Sequence, residues 1–97
     1  MSLTDRAVRG ERARQIIEDE LWIDTHAKVR GAIIDQLGRV DLTAAEKQRA
    51  LITALQIADR VRAALEAMMQ DGELAARQMD LIEDGKRRLN LKNPFRR

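Results

Sequence analysis

Residues 43–70 read TAAEKQRALITALQIADRVRAALEAMMQ and form the longest amphipathic segment of the chain. Thr43 and Glu46 have the spacing of a capping box, in which two side chains satisfy backbone N–H groups at a helix start. The interior lacks glycine and proline, and its Ala, Leu, Glu, Arg and Gln residues favour the helix. The segment therefore predicts one helix, which we expect to stop at Gly72 because glycine favours the C′ position.

Apolar side chains recur along this helix every three or four residues, which places them on one stripe. The stripe consists of Leu51, Ala54, Leu55, Ala58, Val61, Leu65, Met68 and Met69. At about 1.5 Å per residue, the helix is on the order of 40 Å long. A stripe of that length needs covering helices, which come either from the same chain or from another copy.

Three more helices are predicted around this segment, because apolar residues recur at helical spacing before and after it. The short connection 38–42 makes the second and third helices antiparallel neighbours in an αα-hairpin. We therefore predict an all-α fold, a small helical bundle built on a long αα-hairpin, with a C-terminal helix and a basic tail. The predicted helices span residues 4–17, 19–37, 43–70 and 73–89, within a helical domain 1–85 that a basic tail 86–97 follows.

Composition narrows the class of protein. The 97 residues support one small domain, and the absence of cysteine excludes a disulfide scaffold and thiolate metal sites. With one Trp, one Phe and no Tyr, the core must be aliphatic, as in helical bundles. No apolar run is long enough to span a bilayer, and the N-terminus does not resemble a secretory signal. We expect a cytosolic protein without membrane contact.

Positive charge is concentrated at the two ends of the chain. The net charge is only +2, yet residues 86–97 contain six basic residues and no acidic residue. These residues either provide solubility and complement the negative end of the last helix, or contact phosphates or an acidic protein neighbour. Both interpretations stay open. The candidate contact residues are Arg9, Arg12, Lys86, Arg87, Arg88, Lys92, Arg96 and Arg97.

No arrangement of residues points to catalysis. The sequence contains no Gly-rich phosphate loop, no zinc-protease motif, and no Ser or Cys beside a base. His26 is the only histidine, and no residue three or four positions away is a metal ligand. We expect His26 at the edge of the core with a backbone or solvent partner, and we expect no enzyme activity, no cofactor and no metal.

Two segments, Arg9-Gly10-Glu11-Arg12-Ala13 and Asp71-Gly72-Glu73-Leu74-Ala75, carry a resemblance to a family of small phage- and prophage-encoded all-helical proteins of about this length. The resemblance covers roughly residues 9 to 82. It implies a phage origin more than a mechanism, because these segments contain no catalytic or binding motif. A phage origin in turn implies a location in the host cytoplasm or, for an incorporated subunit, in the virion.

Three functions are compatible with these features. The first, which we favour, is a phage structural or assembly subunit that forms homo-oligomers and docks to other phage structural proteins. The second is a nucleic-acid-binding packaging component resembling a small terminase subunit, with DNA contacted by the basic termini. The third is an inhibitor or adaptor of a host protein. The predicted core or oligomer face comprises Trp22, Ile33, Leu37, Leu51, Leu55, Val61, Leu65 and Met68.

Overall fold

The computed structural model describes the backbone of residues 1–92 and the side chains of residues 1–89. It contains three helices, α1 (Leu3–Glu18), α2 (Glu20–Arg39) and α3 (Ala45–Lys92), and no strand within these residues. The all-α class and the long αα-hairpin predicted from the sequence are confirmed. The helix count is corrected from four to three.

A single residue separates α1 from α2. Asp19 has an extended backbone, with φ −70° and ψ 125°, and its carboxylate accepts a hydrogen bond from the backbone N–H of Trp22. The start of α1 has the same kind of cap, because the hydroxyl of Ser2 accepts from the backbone N–H of Asp5. Such caps satisfy N–H groups that have no partner within the helix. Together α1 and α2 form the first arm of the hairpin.

The second arm is one uninterrupted helix of 48 residues, and the predicted stop at Gly72 does not exist. No glycine within the described residues has positive φ, so Gly72 is an ordinary helical residue. A glycine inside a helix costs roughly 1 kcal/mol relative to alanine. Glycine is nevertheless needed at this position, because a Cβ there would lie 2.6 Å from the Cα of Gly10 in α1.

The predicted capping box at Thr43 is also absent. The Thr43 hydroxyl and backbone N–H both donate to the carboxylate of Asp41, each at 2.8 Å, and α3 begins only at Ala45. The Gln48 side chain donates to the backbone oxygen of Asp41. Aspartate favours such local turns because its side chain bonds to the backbone two residues on. Asp41 therefore organises the turn between the two arms.

The two arms run antiparallel. Contacts pair early residues of the first arm with late residues of α3, since Arg6 meets Asp71 and His26 meets Ala58. From Ala44, just before α3, every seventh residue lies at the seam between the arms, and each is at least half-buried. A seven-residue repeat is typical of helices that pack in a coiled coil. These residues are Ala44, Leu51, Ala58, Leu65, Gly72 and Met79.

The hairpin is long and thin. Its extents are 80 × 25 × 16 Å, and its radius of gyration is 22.3 Å, against about 12.5 Å for a compact domain of this length. Among the residues whose side chains are described, the fully buried ones are all small, and no large side chain is completely covered. The buried residues are Gly10, Ala13, Gly72 and Ala75.

Candidate interaction surfaces

The closest contact between the arms is a crossing of α1 over α3 at two glycines. A Cβ atom added to Gly10 would lie 2.5 Å from Cα of Gly72, and one added to Gly72 would lie 2.6 Å from Cα of Gly10. Ala13 and Ala75 flank the crossing with exposures of 2% and 0%. Small residues let the two backbones touch, so this part of the hairpin is closed within the chain.

An ion pair secures the same crossing. Arg6 binds Asp71 with two hydrogen bonds, from Nε to Oδ2 at 3.0 Å and from Nη2 to Oδ1 at 2.7 Å. These bonds from the guanidinium lower the pKa of Asp71 below its ordinary value. The paired geometry is specific to arginine, because its planar guanidinium matches a carboxylate. It serves to hold α1 in register on α3.

Farther along the seam, a larger pair of side chains separates α2 from α3. The rings of Trp22 and His26 stack with centroids 4.9 Å apart and an interplanar angle of 13°. Nε2 of His26 donates to the backbone oxygen of Ala58 at 3.0 Å. His26 therefore has the backbone partner that its position at the core edge predicts, and its role is to join the arms.

One side of the α2–α3 hairpin carries ion pairs. Arg30 Nε binds Asp59 Oδ1 at 2.9 Å, and Arg62 Nε binds Glu66 Oε1 at 3.0 Å. The guanidinium of Arg30 lowers the pKa of Asp59 through its hydrogen bond. Ala27, Gly31 and Ile34 line a shallow groove beside Asp59 and Arg62. We call this side, defined by Arg30, Asp59, Arg62 and Glu66, the charged face.

The opposite side of α2 and α3 has no charged side chain over its central part. At one end of this side, Gln36 and Ala50 line a common groove together with Arg39 and Lys47, which places all four on the same side of the two arms. From Gln36 and Ala50, steps of three and four along each helix give the other members, and the same steps place the exposed Lys28 and Arg60 at the outer edges of this side. We call this side the uncharged face: Leu21, Thr25, Val29, Ala32 and Gln36 of α2, with Ala50, Ala54, Ile57, Val61, Ala64 and Met68 of α3.

Large apolar side chains on the uncharged face are well exposed. Leu21 is 76% exposed, and Val29 and Val61 are each 50% exposed. An open groove continues the face toward α1, where Ile16, Leu21, Trp22 and Thr25 line it together with the charged Arg12 and Asp19. Contiguous apolar surface of this kind is typical of a protein interaction site.

The residues predicted as one core or oligomer face divide between two locations. Trp22, Ile33, Leu37, Leu51, Leu55 and Leu65 are half-buried at seam positions between the arms, whereas Val61 and Met68 lie on the uncharged face. Sequence reasoning missed Val29 and Ile57 as surface residues. The signal for Ile57 was present in the spacing of Ala54, Ile57, Val61, Ala64 and Met68, a second stripe beside the seven-residue repeat of α3.

The predicted phosphate contacts do not form one patch within the described residues. Arg9 and Arg12 are exposed on α1, near the crossing at Gly72, while Lys86, Arg87 and Arg88 are exposed farther along α3. At 1.5 Å per residue, Lys86 lies about 21 Å beyond Gly72 along the helix axis. Arg88 pairs with Asp84 at 3.2 Å. The structure places only the backbone of Lys92, and Arg96 and Arg97 lie outside the described residues.

The predicted basic tail begins inside a helix, because residues 86–92 belong to α3. Between residues 1 and 92, no cluster of three or more His, Asp or Glu side chains could hold a metal ion. In the same part of the chain, no helix combines the length and the apolar character that crossing a membrane requires. Comparisons with family models, curated proteins and solved structures found no match.

Proposed function

We propose that this chain is a non-enzymatic structural subunit that self-associates through its exposed apolar surface. The observation that carries the proposal is the lack of any fully buried large side chain among the described residues. Folding requires burial of enough apolar surface to offset the loss of chain entropy. A hairpin whose buried residues are only glycine and alanine gains too little from its own seam.

The accessible surface area shows how much more surface this chain exposes than a compact monomer of the same mass. The chain exposes 8058 Å², whereas a compact monomer of 11.1 kDa exposes about 5,700 Å². The excess is therefore about 2,400 Å² per chain. Obligate homodimers bury roughly 2,000–5,000 Å² in total over both partners. This range is about 1,000–2,500 Å² per chain, so an interface at its upper end covers the excess surface.

The setting that we propose is phage assembly, with the subunit docking to a virion or morphogenesis partner. Support comes from the resemblance of residues 9 to 82 to small phage-encoded helical proteins. The end of α3 suits the docking role, since it extends past the start of α1 and exposes Leu81 and Leu89. Lys86 and Arg87 stand between them and suit an acidic protein surface.

DNA packaging is the second candidate, favoured by the exposed run Lys86, Arg87 and Arg88 on one helical turn. Three adjacent cations at a helix end suit phosphate contacts. The separation of this run from Arg9 and Arg12 weighs against a single duplex-binding surface. We therefore rank DNA binding below structural assembly.

Thermal unfolding at different protein concentrations tests the proposed function. A subunit that is stable only in an assembly has a melting temperature that rises with concentration, because mass action favours the associated folded state. We expect a clear rise over a 100-fold concentration range, followed by circular dichroism. A melting temperature that stays constant over this range would show that the hairpin is stable alone.

A further inference from the structure

We infer that the uncharged face binds a second copy of this chain, two hairpins packing face to face as an antiparallel four-helix bundle. The inference rests on the proposed function of self-association and adds the surface and its partner. Three properties of the face carry it: its lack of charge, its size and its self-complementarity.

The first property distinguishes the two sides of the hairpin. Burial of Arg30, Asp59, Arg62 and Glu66 on the charged face would remove four ionised groups from water, which is costly even for paired charges. Between its ends, the uncharged face presents apolar side chains with Thr25 and Gln36. Lys28 and Arg60 lie only at its outer edges, where long side chains can keep their charges in water. Of the two faces, it is therefore the one that a partner can cover without burying an ionised side chain away from water.

The second property is area. The face extends along α3 from Ala50 to Met68, about 27 Å at 1.5 Å per residue. Along α2 it extends from Leu21 to Gln36, about 22 Å by the same rise. Two helices presented side by side over this length offer the roughly 1,000 Å² per partner that an obligate dimer buries at the least. That area is roughly two-fifths of the excess exposed surface of each chain.

The third property selects the partner. A face with neither charge nor a strong polar pattern has no feature that would recognise a charged partner, and it matches another uncharged face of the same length. The same face on a second copy meets this condition, with a two-fold axis through its centre. The product has four helices around one core, in which Val29, Ile57 and Val61 become core residues.

A pair of matched aspartate variants tests the inference. Val61 on the uncharged face and Ile52 on the charged side belong to the same helix and are 50% and 48% exposed. Ile52 lies one seven-residue repeat before Asp59, which places it on that side. We expect Val61→Asp to abolish assembly measured by light scattering, and Ile52→Asp to assemble like the unchanged protein. Assembly that survives Val61→Asp, or that fails in Ile52→Asp alone, would overturn the inference.

Disulfide formation gives a second measurement that does not depend on stability. The chain has no cysteine, so a single introduced cysteine reports one position. Val61→Cys lies near the centre of the face, and we expect it to form a covalent dimer under mild oxidation, whereas Ile52→Cys remains largely uncrosslinked. Preferential crosslinking of Ile52→Cys would place the interface on the charged face. A monomeric unchanged protein would instead contradict the proposed function itself, so the two failures are distinguishable.

Discussion

Gly10 of α1 and Gly72 of α3 lie so close that neither position has room for a methyl group. A Cβ at Gly10 would be 2.5 Å from Cα of Gly72 and 2.9 Å from the backbone oxygen of Met68. The obstructing atoms belong to the backbone, which cannot move aside as a side chain can. The two glycines thus set the distance between the arms where α1 crosses α3.

Gly10→Ala is expected to destabilise the hairpin, although alanine favours the helix over glycine by about 1 kcal/mol. The added methyl group forces the arms apart, and overpacking of this kind typically costs about 1–3 kcal/mol. Gly31 and Gly85 serve as controls, because a Cβ there meets nothing within 4 Å. Thermal unfolding should show a lower melting temperature for Gly10→Ala and an equal or higher one for Gly31→Ala and Gly85→Ala. An equal rise in melting temperature for all three variants would contradict the close contact of the two helices at Gly10 and Gly72.

The sequence predicts the helical class and the hairpin because both depend on local features. The spacing of apolar residues indicates helices, and a short connection indicates that two helices are antiparallel neighbours. It does not predict the continuity of α3, because a glycine at a helix end and a glycine at a helix crossing look alike in sequence. The sequence predicts Gly72 as a helix stop, and only its proximity to Gly10 in the structure reveals its role at the crossing. The predicted capping box at Thr43 is wrong because the Thr43 hydroxyl donates to the carboxylate of Asp41 instead of capping the helix.

Leu55→Asp is expected to disrupt the hairpin itself, not only its assembly. Leu55 is half-buried at a seam position facing α2, and a carboxylate there loses water without gaining a partner. We expect a loss of about 2 kcal/mol or more in unfolding free energy. Gln56→Asp is the matched control, since Gln56 is exposed on the same helix. Chemical denaturation followed by circular dichroism measures both, and similar values for the two variants would refute the seam assignment.

Stability is expected to fall in acid because ion pairs hold two carboxylates across the arms. Hydrogen bonds from Arg6 and Arg30 lower the pKa of Asp71 and Asp59 in the folded chain. Their stabilisation is complete above the ordinary aspartate pKa of about 3.9, and it is lost as the pH falls through the lowered values, because the unfolded chain binds more protons. Melting temperatures between pH 6 and pH 2 should decline, and Asp71→Asn should decline less steeply. An unchanged slope in Asp71→Asn would exclude this origin.

DNA binding by this chain is expected to be weak, with a shallow dependence on salt. If Lys86, Arg87 and Arg88 each contact one phosphate, log affinity falls against log salt with a slope of about −2.7. Arg87→Ala should make that slope shallower by about 0.9, while Arg9→Ala should leave it unchanged because Arg9 lies elsewhere on the hairpin. Fluorescence anisotropy with a labelled duplex measures these slopes. A slope near −5 that Arg9→Ala also reduces would favour the packaging function.

Part of the candidate surface could be foreseen from the sequence and part could not. The stripe from Leu51 to Met69 was recognised as one apolar surface, yet a single helix in sequence does not show which edge its own chain covers. The antiparallel position of α2 assigns Leu55 and Leu65 to the seam and leaves Val61 outside. Which half of a wide apolar stripe stays exposed depends on where the neighbouring helix packs. The spacing of residues along one helix does not determine that position.

The most direct test of self-association is the mass of the unchanged protein in solution, by light scattering at low and at high salt. We predict at least twice the chain mass of 11.1 kDa at both salt concentrations, because burial of an uncharged face does not depend on ionic screening. A mass of one chain, together with full helix content and cooperative unfolding, would contradict the account.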